Sequence, residues 1–119
     1  MKAVIATAAS VLLVSGWVVA AAPTGTGAPQ DAAKIEAGKK VYDAQSCAKC
    51  HQIAGKGMKL SVLDGVGSRL TADQIKKWIE NPAEMEKTLK VAPKIHMKPY
   101  KLAPADLDAL VAYMASLKK

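Results

Sequence analysis

Cys47-Ala48-Lys49-Cys50-His51 is the stretch from which the rest of this chain is read. Two thiols three positions apart can each add to one vinyl group of a haem, and the adjacent histidine then stands under the iron as an axial ligand. Other chemistries use parts of the same pattern. A Cys-x-x-Cys pair works as a dithiol switch in a βαβ setting, which the sequence does not offer. A zinc ion needs four donors. Cys47, Cys50, His51 and His96 could supply them only if the consecutive Cys50 and His51 converged on one tetrahedral ion. A third reading closes the two cysteines into a disulfide, as exported proteins do. One covalently attached c-type haem uses all five residues, and the rest of the chain is consistent with it.

Upstream, Met1-Lys2 is followed by an uncharged stretch over residues 3–22 that is rich in Ala and Val and closes on Ala20-Ala21-Ala22. This pattern predicts a secretory signal peptide over residues 1–21. An uncleaved membrane anchor is the rival reading, because the stretch just reaches spanning length. Either one puts the remaining chain outside the cytoplasm. Residues 22–31 hold Pro23, Gly25, Gly27 and Pro29 and are expected to form a flexible linker, leaving residues 32–119 as one domain.

The chain has 17 Lys plus Arg against 10 Asp plus Glu, a net charge of +7, and Arg69 is its sole arginine. No aromatic residues interleave the lysines as base-stacking would require, so nucleic acid is not an expected partner. A basic surface suits an acidic protein partner, and a membrane only if the leader stays attached. The chain has no Phe, 3 Tyr and 2 Trp, one of them Trp17 in the leader. So few aromatics leave a domain of this size short of core volume, which a buried porphyrin would supply.

Helical periodicity dominates, and no segment alternates like a strand. A first helix is expected over residues 32–45, with Asp31 as N-cap and Ile35, Gly38, Val41 and Tyr42 on one face. A mid-helix glycine costs about 1 kcal/mol against Ala, so Gly38 predicts close approach of another helix. A second helix spans residues 71–80. Thr71 and Gln74 form its capping box, Leu70 can staple onto Ile75, and Ile75, Trp78 and Ile79 form its apolar stripe. Asn81-Pro82 ends it and starts a short third helix bearing Met85 and Leu89. The last helix runs from about Pro104 to Leu117, with Leu107, Leu110, Val111, Met114 and Leu117 in register. Gly55, Gly57, Gly65 and Gly67 mark a long irregular loop between the Cys-x-x-Cys-His segment and the second helix.

A low-spin haem iron needs a ligand opposite His51, and the donors available are Met58, Met85, Met97, Met114 and His96. Met114 and Met85 lie on helices and read as packing. Met58 is too near His51 in sequence to reach the other face easily. Met97 lies in an irregular stretch broken by Pro93 and Pro99, where a loop can aim a side chain. It is the expected ligand, with His96 as its rival.

With these residues in view, the chain resembles a small monohaem class I cytochrome c of the bacterial periplasm. The shared elements are Gly38 with Tyr42, the Cys47-to-His51 pentapeptide, Gly65-Val66-Gly67-Ser68-Arg69, Trp78-Ile79-Glu80-Asn81-Pro82, Met97, and Leu110-Val111-Ala112-Tyr113-Met114. The resemblance implies an all-α cytochrome c fold of about four helices around one covalent haem, with the first and last helices crossing. It also implies that Arg69 and Trp78 hold a haem propionate, although each also reads as an ordinary loop charge or core residue. Two departures stand out. Such proteins usually have a proline where Ser61 stands, its carbonyl accepting from the proximal imidazole, and here Lys98 separates Met97 from Pro99.

The expected function is electron carriage between periplasmic or membrane redox partners with acidic docking surfaces, with no catalytic residues. The alternatives are a relay subunit of a larger respiratory or oxidative enzyme and a haem-based ligand sensor. A peroxidase lacks its distal histidine and arginine pair in this sequence.

Overall fold

A computed structural model describes residues 29–119. The expected leader and the start of the linker lie outside the described residues. Helix α1 spans Pro29–Ala44, three residues earlier than the capping pattern suggested. Proline suits the first helical position, since its missing N–H would have no partner there. Asp31 accordingly lies in the first turn, facing the positive end of the helix dipole, rather than serving as N-cap. The last residues of the expected linker are therefore helical.

Helix α1 crosses α5, which spans Pro104–Ser116. Gly38 is buried at the crossing. A Cβ there would overlap the Ala109 carbonyl and lie 2.7 Å from the Tyr113 Cβ, so the close approach inferred from the glycine is present. One turn on, the Tyr42 and Tyr113 rings meet edge to face with centroids 5.9 Å apart, a favourable arrangement of their quadrupoles. Tyr42, Leu107, Leu110 and Met114 form the centre of the core with Val66, Ile75 and Ile79.

The segment expected to be a loop is more ordered than its glycines suggested. After a 3-10 turn at Cys47–Lys49, three short strands follow: β1 at His51–Ile53, β2 at Lys56–Gly57 and β3 at Ser61–Val62. They form a sheet in the order β2-β1-β3, with β1 antiparallel to β2 and parallel to β3. Ala54 and Gly55 close the hairpin with positive φ values of 49° and 77°, as a two-residue turn matching strand twist requires. The Ala54 N–H donates to the Asp64 carboxylate at 2.8 Å. A one-turn helix, α2 at Val66–Arg69, then lies against α5. A Cβ on Gly67 would overlap the Ala115 carbonyl, and the Gly67 N–H donates to the Leu117 carbonyl at 2.9 Å.

Helix α3, Ala72–Glu80, starts at the predicted capping box: Gln74 N–H donates to the Thr71 hydroxyl, and Thr71 N–H donates to the Gln74 side chain. Helix α4, Pro82–Thr88, is capped by Asn81, whose side chain accepts from the Glu84 N–H. It ends in a Schellman motif, with Val91 N–H bonded to the Glu86 carbonyl and Lys90 N–H to the Lys87 carbonyl. Lys90 takes the left-handed position at φ 51°. Among the described residues, no helix is long and apolar enough to cross a membrane.

Candidate haem site

The 3-10 turn and β1 present the Cys-x-x-Cys-His residues on a braced backbone. Met58 N–H donates to the Ala48 carbonyl at 2.9 Å, and Ser61 N–H to the Cys50 carbonyl at 3.1 Å. Gly57, at φ 95°, lets β2 approach so closely that a Cβ would overlap the His51 carbonyl. The Tyr42 hydroxyl donates to that same carbonyl at 3.3 Å, tying the segment to α1.

His51 opens onto a cavity of about 530 Å³ that Cys47 also lines. Its walls are largely apolar, with Leu63, Val66, Leu70, Ile75, Ile79 and Leu110 among them. This size and character suit a bound organic cofactor. Cys47 and Cys50 are unpaired, so the disulfide reading is set aside. Among the described residues no group of three or more His, Cys, Asp or Glu side chains gathers to hold a metal, which removes the zinc reading as well.

Burial pushes the His51 pKa down, with hydrogen bonding toward the Ser61 backbone acting in the opposite sense. The ring is therefore favoured in the neutral form, whose free nitrogen lone pair can bind a metal. Its Nδ1 is buried without a hydrogen bond of full geometry. His51 and Ser61 are register partners across β1 and β3, which brings the Ser61 backbone beside the ring. Burial likewise pushes the Cys47 thiol up.

The donors considered for the other iron face separate by position. Met58 is 57% exposed and Met85 only 2% exposed, and neither lines the cavity. Met114 borders it from the buried core face of α5. Met97 borders it from the irregular segment beyond α4. His96 does not line the cavity. Its side chain is 71% exposed and pairs through Nδ1 with Glu86 Oε2 at 2.8 Å. Arg69 and Trp78 both reach the cavity wall, and one Arg69 guanidinium nitrogen donates to the Val62 carbonyl at 3.3 Å. Glu86 is a cavity residue that sequence reading missed. Its position gave no signal, because its partner is ten residues away in an aperiodic segment.

The site thus joins two free cysteines, a half-buried imidazole and a largely apolar cavity. The profile of the family described as Cytochrome c matches residues 35–118, most of the chain. The chain belongs to the cytochrome c family. Comparisons with curated proteins and with solved structures gave no match. Family membership brings one covalent c-type haem, for which Cys47 and Cys50 have the right spacing, and haem-based electron transfer as the activity. A mostly helical chain with a small sheet, rather than a purely helical one, is the form this cytochrome c takes.

Proposed function

We propose that this cytochrome c is a single-haem electron carrier, exported to the periplasm, with His51 and Met97 as axial ligands. The observation that carries the ligand assignment is that, among the described residues, Met97 is the one loop-borne sulfur on the walls of the cavity that His51 also lines. When bound, the haem supplies an iron that alternates between ferrous and ferric states.

The chain's own residues hold the group and set its surroundings. Cys47 and Cys50 fix it covalently, and His51 binds through its free ring nitrogen. The apolar walls exclude water, which limits reorganisation around the changing charge. A thioether from Met97 favours the reduced state, where a second imidazole would favour the oxidised one. Arg69 and Trp78, both on the cavity wall, would hold a propionate, Arg69 by charge and Trp78 by its indole N–H.

The surface supports protein partners. Leu60 and Ile95 line the cavity while standing 54% and 59% exposed. Exposed Lys59 and Lys94 adjoin them in sequence, and Lys49, Lys56, Lys98 and Lys101 are exposed as well. Apolar side chains among lysines suit brief encounters with acidic surfaces. Carbon monoxide binding to the reduced holoprotein tests the assignment against a sensor. Resistance to the gas is expected of a carrier with a fixed sixth ligand, and rapid binding would overturn the carrier reading.

A further inference from the structure

We propose that Glu86 is a positioning residue that clamps the Met97 loop from both ends. The inference rests on the assignment of Met97 as ligand. Its backbone carbonyl accepts from the Val91 N–H at 3.0 Å in the turn that starts the loop. Its carboxylate Oε2 lies 2.8 Å from Nδ1 of His96, the residue next to Met97. A carboxylate only accepts, so the imidazole carries the proton on Nδ1.

Little else fixes this loop. Among the described residues, residues 92–99 make no backbone-to-backbone hydrogen bond, and the chain is next pinned where Tyr100 N–H meets the Ile79 carbonyl at 2.8 Å. The bond from His96 to Glu86 is the sole side-chain hydrogen bond in that stretch. Meanwhile Glu86 has its second carboxylate oxygen, Oε1, buried without a partner. Burying an unsatisfied carboxylate oxygen costs stability. A residue retained there on packing grounds alone would be apolar. The cost is understandable if the other oxygen has a task, and the one it performs is to hold His96. The clamp keeps the thioether over the cavity, so the loop opens rarely and foreign ligands find the iron closed.

Cyanide binding to the ferric holoprotein measures that opening, since the sixth ligand must leave first. The Glu86→Ala and His96→Ala variants are each expected to bind cyanide roughly tenfold faster, the scale of losing one charge-assisted hydrogen bond. The double variant should be no faster than either single one, because both remove the same bond. Helical circular dichroism should not change. If Glu86→Ala fails to load haem, His96→Ala at its exposed position decides alone. Wild-type rates in the single variants, or additive accelerations in the double variant, would overturn the clamp. A wild-type protein without a sulfur-to-iron absorption band would instead overturn the Met97 assignment, and the clamp with it.

Discussion

At the scale of single residues, Cys47 and Cys50 differ in surroundings although they share one task. Cys47 lines the cavity and is partly buried, while Cys50 is exposed. Either thiol alone would provide one thioether, and the cavity walls with the proposed ligands His51 and Met97 would still seat the group. Cys47→Ala or Cys50→Ala should each retain one covalent haem mass under denaturing mass spectrometry, at lower yield. The double variant should show none. These residues were legible in sequence because their chemistry demands fixed spacing. Glu86 was not legible, because nothing in a chain of local patterns pairs it with His96.

Elements were legible where local bonds or a tight contact dictate them. Thr71 and Gln74 announce α3 because their reciprocal bonds lie within four residues. Gly38 announces a helix crossing because nothing larger fits. Gly38→Ala should destabilise the holoprotein by about 1–3 kcal/mol, the usual penalty for overpacking, read from the denaturant midpoint. The sheet escaped notice because strands of two or three residues are too short to show alternation, and Ala54-Gly55 lacks the Asn or Asp that usually marks such a turn. Likewise, the α4 terminus uses Lys90 where glycine is usual. Lys90→Gly removes the left-handed strain of about 1–2 kcal/mol and adds some unfolded-state entropy. A small net rise in thermal midpoint is expected, and a fall would contradict the Schellman assignment.

For the whole molecule, charge is the property that reaches a partner before contact. The chain carries +7, and among its described residues no lysine or arginine lies within ion-pair distance of a carboxylate. The described lysines are therefore uncompensated by neighbouring carboxylates, and their field extends into solvent until salt screens it over about 8 Å at physiological strength. Electron-transfer rate constants with an acidic redox protein should fall steeply as ionic strength rises. A flat response would remove steering from the account while leaving the haem site intact.

Near-infrared absorption of the ferric holoprotein reads whether the iron is held between His51 and Met97. A weak sulfur-to-iron band is expected in the wild type, lost in Met97→Ala and kept in His96→Ala. A band absent from the wild type, or one that survives Met97→Ala, would contradict it.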